Sequence, residues 1–253
     1  MPDLNEIYSF LWTAHGDDFE ILDRSLRPRS WEYMFELAAS AGIRQDSLVV
    51  DTGCGRGAHC SELVSRFGCH VIGVDVVSAP LLAGVQFIQA SIDQLPIQDK
   101  SVNFVWCRDM LVHVPDPARA LQECARVLLP TGKMLIYTTL ETELMEPREA
   151  ERLYRPLAIH PLRRDLLERS FASAGLTITR VEEIGGELIE FYQERDGRAS
   201  RELMRIARMG RLQEQLVSQW RAERYEAVSA LYHWMIYLLI GKLTAAYYLL
   251  EQL

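Results

Sequence analysis

Apolar residues follow two different rhythms along this chain. From residue 46 onward, short runs rich in β-branched side chains (SLVVD, HVIGVD, VQFIQA, VNFVWC and KMLIYTT) are interspersed with helical spacing over 59–67 and 118–129. Such alternation predicts βαβ units, and hence a parallel sheet covered by helices. Ahead of it, Leu4, Ile7, Tyr8 and Leu11 recur at helical spacing. A second helix is expected over 31–40, with Ser30 as N-cap and Gly42 beyond its end. Helices over 149–157 and 162–174 then lead to a sixth strand, LTITRVEEI.

Residues 187–240 depart from this alternation. They read as helical throughout, with apolar clusters at Leu188, Ile189, Phe191 and Tyr192, then Leu212, Leu216 and Trp220, then Leu231, Met235 and Leu238. TAAYYLL can follow as a last strand. The expected architecture is α/β: a seven-stranded, mostly parallel sheet with N-terminal helices (1–45), a core of 46–186 and 241–253, and a helical insertion, 187–240, acting as a lid. Residues 228–250 are long enough to cross a bilayer, but His233, Gly241 and Lys242 lie near their middle. A buried helix followed by a core strand is expected there, with no membrane partner.

Composition narrows the function. Among 253 residues, 35 are acidic and 27 basic, net −8, which lacks the positive footprint of a protein that follows a phosphate backbone. No nucleic-acid partner is expected. The five cysteines form no C-x-x-C pair and are odd in number, and no compact cluster has metal-ligand spacing. Neither disulfide framework nor metal is anticipated, and a reducing cytoplasm fits best. The acidic N-terminus, MPDLNEIYSFLW, does not read as a secretory signal.

The strongest local signal is VVDTGCGRG, in which a strand ends at Asp51 and passes through Gly53, Gly55 and Gly57 into a helix. Glycines let the backbone bend sharply and let a ligand lie against it. With Ala58 the stretch also satisfies G-x-G-x-x-A, so by glycines alone it would serve a dinucleotide. Asp51 decides between the two, because a carboxylate at the mouth of the loop repels a pyrophosphate and attracts a ligand carrying an ammonium and a sulfonium. That points to S-adenosylmethionine. Asp75, ending HVIGVD, stands where an acid accepts hydrogen bonds from both hydroxyls of a ribose.

VVDTGCGRG, GVD, and then QASIDQLPIQDKSVNFVWCRDMLVHVPDPARALQECARVLLPTGKMLI resemble, in order and spacing, the core of class I (Rossmann-like) S-adenosylmethionine-dependent methyltransferases, over about residues 46–140. The resemblance implies an antiparallel last strand and places Ser91 and Ile92 at the adenine edge. Ser91 stands where the family often has Asp. The implied activity is methyl transfer to an oxygen or nitrogen of a small-molecule acceptor, releasing S-adenosylhomocysteine. A non-catalytic cofactor-binding module and an NAD(P)-dependent oxidoreductase remain as alternatives.

Ligands of open parallel sheets bind beyond the carboxyl ends of the strands, so the segment after VNFVWC faces the reacting centre. If it turns as a helix, Asp109 and His113 share a face, and the carboxylate can orient the imidazole to take a proton from the acceptor. The Arg-Asp-x-x-x-His pattern is similar to that of phosphoethanolamine N-methyltransferases, which implies a cofactor role for Arg108 and acceptor-side roles for Asp109 and His113. A packing histidine and a capping aspartate are the plainer alternative.

Arg195, Arg198, Arg201, Arg205, Arg208 and Arg211 recur every three or four residues. A solvated basic face opposite Leu203 and Ile206 accounts for them, although one or two could grip an anionic acceptor. Tyr8 and Trp12, with Tyr232 and Trp234, could cover the acceptor as an aromatic lid, or be core. Cys107 is expected to be a buried small residue.

Overall fold

The computed structural model describes residues 28–78 and 85–252. Tyr8, Trp12 and the helix expected around Leu4–Leu11 lie outside them. The described chain runs α1 (Glu32–Ser40), β1 (Leu48–Thr52), α2 (Ala58–Phe67), β2 (His70–Asp75), β3 (Gln86–Gln89), β4 (Val102–Arg108), α3 (Pro117–Val127) and β5 (Leu128–Glu141). It continues through α4 (Pro147–Leu157), α5 (Arg164–Ser173), β6 (Leu176–Glu183), α6 (Glu187–Asp196), α7 (Arg198–Arg211), α8 (Gln213–Trp220), α9 (Ala222–Leu239) and β7 (Leu243–Gln252).

The seven strands form one sheet in the order β3-β2-β1-β4-β5-β7-β6. All neighbours are parallel except β7, which inserts antiparallel between β5 and β6. This is the expected Rossmann-like sheet with its reversed last strand. The order reverses beside β1, between β2 and β4, and ligands of such sheets bind at that switch point.

Successive side chains point to opposite faces, so each central strand feeds two cores. Val49, Phe104, Trp106, Leu135 and Tyr247 pack with α1, α2 and the insertion. Val50, Val105, Cys107, Ile136 and Tyr248 pack with α3 and α5. Cys107 is fully buried, as expected, and all five cysteines are free.

The helix after Ser30 starts at Glu32, and the Ser30 hydroxyl accepts the Glu32 N–H at 3.2 Å. Ser30 therefore supplies a side-chain acceptor for the helix start, while Trp31 occupies the flanking position. In the insertion, residues 187–240 divide into four helices, interrupted at Gly197, Leu212 and Arg221. Among the described residues, no helix is long and apolar enough to cross a membrane.

Candidate active site

Strand β1 delivers Asp51 and Thr52 to a loop in which Gly53, Gly55 and Gly57 adopt φ of +72°, +54° and +73°. An L side chain adopts such angles at a cost of about 1–2 kcal/mol each, which explains three glycines at alternate positions. The N–H groups of Gly53 and Cys54 donate to the Val74 carbonyl at 2.7 and 3.1 Å, fastening the loop to the end of β2.

Asp75 completes the fastening. Its Oδ2 accepts the Gly55 N–H at 2.8 Å and its Oδ1 the Val77 N–H at 2.9 Å. Each carboxylate oxygen keeps a further acceptor site, and two such sites suit adjacent ribose hydroxyls.

Asp51 departs from its expected place at the mouth of the loop. It is 2% exposed and lies behind the glycines, where its Oδ2 accepts the Cys60 thiol proton at 3.1 Å. Burial pushes its carboxyl up to about 7, against the opposing effects of the Cys60 hydrogen bond and the Arg108 charge. Nine residues on, α2 returns Cys60 against it, and this closes off solvent.

A cavity of about 1020 Å³ opens over the carboxyl ends of β1, β2 and β4. Gly53, Asp75, Ser91, Ile92 and Arg108 line the cavity, whereas Asp51 and Gly57 are buried away from it and Gly55 is exposed outside its wall. Asp109, Met110 and His113 line the middle, and Tyr137, Leu188, Tyr192 and Trp234 are on the wall as well. Tyr232 is not; its ring lies under Arg205 instead, 5.5 Å from the guanidinium carbon.

Asp109 and His113 do not share an α-helical face. Asp109 has φ +49° and extends the sheet by one bond, its N–H donating to the Tyr137 carbonyl at 2.7 Å. Only a single 3₁₀ turn, Leu111–His113, follows. Val114 is extended because it precedes Pro115, and a residue before proline is pushed out of the helical region. The Asp109 carboxylate accepts the Thr139 N–H at 3.0 Å, not an imidazole proton. Burial raises its pKa, opposed by that hydrogen bond and by the charges of His113 and Arg108. His113 is exposed at the cavity.

Three ring-bearing residues at or beside the site are absent from the sequence-based set. Trp31, on the cavity wall, carries the Arg108 guanidinium 5.0 Å from its ring centre and meets Tyr137 edge-on at 4.7 Å. Beneath them His59 packs against Trp31, Phe35 and Trp106. Burial, and then the nearby Arg108 charge, lower its pKa to about 4, so the imidazole is neutral at pH 7. Tyr137 reaches the site through the β4–β5 register, which pairs it with Arg108 at the carboxyl end of β4.

A glycine loop is thus tied to an acid at the next strand end and stands at the edge of a cavity over the switch point of a Rossmann-like sheet. Residues 50–136 match the family model described as a methyltransferase domain. Over 154 residues the chain is 34% identical to the ubiquinone biosynthesis O-methyltransferase of Hahella chejuensis, covering 54% of this chain and 62% of that protein. The match thus spans less than two thirds of that relative.

Among solved structures, a putative sarcosine dimethylglycine methyltransferase from Galdieria sulphuraria superposes with TM-score 0.67 at 22% identity, over 87% of this chain and 82% of that one. Phosphoethanolamine N-methyltransferase 2 of Haemonchus contortus, in complex with phosphomonomethylethanolamine and S-adenosylhomocysteine, gives TM-score 0.66 at 16% identity, over 89% and 53%. Both share the fold.

Proposed function

We propose that this protein transfers the methyl group of S-adenosylmethionine to an oxygen or nitrogen of a small-molecule acceptor, releasing S-adenosylhomocysteine. The observation that carries it is the Gly55–Asp75 hydrogen bond at the cavity edge, with buried Asp51 behind the same loop. Asp75 would accept the ribose hydroxyls, Ser91 and Ile92 would edge the adenine, and Gly53 would let the cofactor lie against the loop. Arg108, held over Trp31, would face the carboxylate of the methionine part. The bound cofactor supplies a methyl group already activated on a sulfonium, so the protein's main tasks are alignment and proton removal.

Asp109 and His113 are the candidates for proton removal, on the wall between the glycine loop and the insertion. The insertion 187–240 would cover the acceptor, and a net charge of −8 and five free cysteines suit a cytoplasmic enzyme of small-molecule metabolism. The ubiquinone-pathway relative supports an oxygen acceptor and the phosphoethanolamine enzyme a nitrogen one.

The test combines calorimetry with labelled methyl transfer to fractionated metabolites. S-adenosylhomocysteine should bind, label should appear in an acceptor, and Asp75→Ala should weaken cofactor binding by about 1–3 kcal/mol, the scale of lost hydrogen bonds to a charged group. Unchanged affinity in a folded Asp75→Ala protein would remove the ribose assignment. Binding without transfer to any acceptor would leave a cofactor-binding module.

Asp51 adds a pH dependence. With its folded pKa at about 7, the carboxyl is mostly neutral at pH 6 and mostly charged at pH 8. A cationic ligand favours the charged form, so S-adenosylmethionine affinity should rise by about fivefold to tenfold from pH 6 to 8, with proton release on binding at pH 7. In the free protein the sign is opposite. The raised pKa contributes stability that is present below the unfolded value and lost as pH rises through 7. Calorimetry in buffers of different ionisation enthalpy measures the released proton, and Asp51→Asn should abolish it.

A further inference from the structure

The insertion side of the cavity is apolar except at one point. Helix α6 contributes Leu188, Ile189 and Tyr192, and α9 contributes Leu231, Trp234 and Met235. Among the described residues of the insertion that line the cavity, Arg198 alone is charged. The other five arginines of its row do not reach the cavity wall.

Arg198 is held in place from two sides. Gly197, at φ +66°, turns the chain between α6 and α7 and brings Arg198 back over Tyr192, with its guanidinium carbon 3.8 Å from the ring centre. Its Nη2 lies 3.1 Å from Asp196 Oδ2, while Asp196 Oδ1 lies 3.1 Å from Arg201. One carboxylate is shared by two guanidiniums, so the cluster keeps a net positive charge. A guanidinium stacked on an aromatic ring keeps its edge N–H donors directed outward, a geometry suited to the two oxygens of a carboxylate or phosphate.

These two features select for different parts of one ligand. An acceptor that is small and wholly polar would leave the apolar wall in water, and a cationic one would be repelled by Arg198. At about 1020 Å³ the cavity stands at the top of the ~300–1,000 Å³ range that holds a drug-sized ligand, which leaves room beside a cofactor.

We propose that the acceptor is an amphipathic organic anion, with its apolar body against Leu188, Tyr192, Trp234 and Met235 and its carboxylate or phosphate on Arg198. This rests on the reading that S-adenosylmethionine occupies the glycine-loop side of the same cavity. A solvated basic face still describes the outer part of the arginine row; Arg198 is its functional end.

The test uses the full chain saturated with S-adenosylhomocysteine, whose own binding is checked first by calorimetry. The fluorescent anion 8-anilinonaphthalene-1-sulfonate serves as probe, and neutral N-phenyl-1-naphthylamine as its uncharged counterpart. Decanoate or decyl phosphate should displace the anionic probe and decanol should not, and the better of the two acids identifies the anionic group. Arg198→Ala should weaken the anionic probe about tenfold or more, as expected for loss of a charge-assisted contact, and leave the neutral probe within about twofold. Arg208→Ala, off the cavity wall, should change neither.

If Arg198→Ala loses its fold, Arg198→Gln, which keeps the stem and removes the charge, takes its place with the same expected result. Equal displacement by decanol and decanoate, no binding of the anionic probe, or unchanged probe affinities in a folded Arg198 variant would overturn the acceptor class while leaving the cofactor reading intact. Failure of S-adenosylhomocysteine to bind at all would remove the cofactor reading and this proposal with it.

Discussion

Gly53→Ala is expected to lose cofactor binding by about a hundredfold, because a Cβ at this position has nowhere to go. It would lie 2.1 Å from Met110 Cγ and 2.7 Å from Met110 Cβ, near the root of that side chain where a rotamer change gives little relief. The backbone is also left-handed there, at φ +72°. Left-handed strain of about 1–2 kcal/mol and overpacking of about 1–3 kcal/mol together predict a stability loss of about 2–5 kcal/mol. For a chain of this length that lowers Tm by about 5–15 °C. Since Gly53 and Met110 both line the cavity, relief of the clash must move either the loop or the segment carrying Asp109, and a displacement near 1 Å suffices for a loss of about 10². Gly55→Ala is the control: its Cβ meets nothing within 4 Å, so only backbone strain remains. Calorimetry and thermal unfolding on both variants measure the difference. Equal losses in the two would mean that strain alone, and not the Met110 contact, sets the requirement for glycine at 53.

The strands were legible because their signal is local. Each of the seven runs read from sequence is a strand, since a short apolar run bounded by polar residues carries its pattern within a few positions. The glycine loop was legible for the same reason. The breaks within 187–240 were less so. Gly197 marks one of them, but Arg221 takes φ +69° between α8 and α9, and nothing about an arginine announces a left-handed residue.

The site was legible only where one segment supplies it. Asp75 and the glycines belong to adjacent elements of one βαβ unit. Trp31, His59 and Tyr137 belong to three separate elements and meet only through helix packing and strand register. The burial of Asp51 depends likewise on Cys60, which α2 brings back from nine residues away. For Asp109 and His113 a spacing of four suggested a helix, but Pro115 already argued against one by disfavouring helical geometry at Val114. Spacing and turn chemistry disagreed, and turn chemistry prevailed.

That disagreement shapes the test of the proposed proton acceptor. His113→Ala should lower kcat by about 10²- to 10⁴-fold with cofactor affinity barely changed, as expected for loss of a general base. Asp109 needs a gentler substitution, since its carboxylate accepts the Thr139 N–H and its backbone occupies the left-handed region. Asn tolerates that region and keeps a side-chain oxygen for Thr139, so Asp109→Asn removes charge while retaining the turn. His113 makes no hydrogen bond to Asp109 in the free protein, since the Asp109 carboxylate accepts the Thr139 N–H instead, so the two substitutions test separate roles. Asp109→Asn should then lower the rate of methyl transfer while leaving the fold intact. Asp109→Ala, which also removes the Thr139 contact, should cost stability as well. Single-turnover methyl transfer from pH 5 to 9, at saturating cofactor with the true acceptor, separates these roles. Near wild-type rates across that range in both His113→Ala and Asp109→Asn would assign proton removal elsewhere, or to an acceptor that arrives already deprotonated.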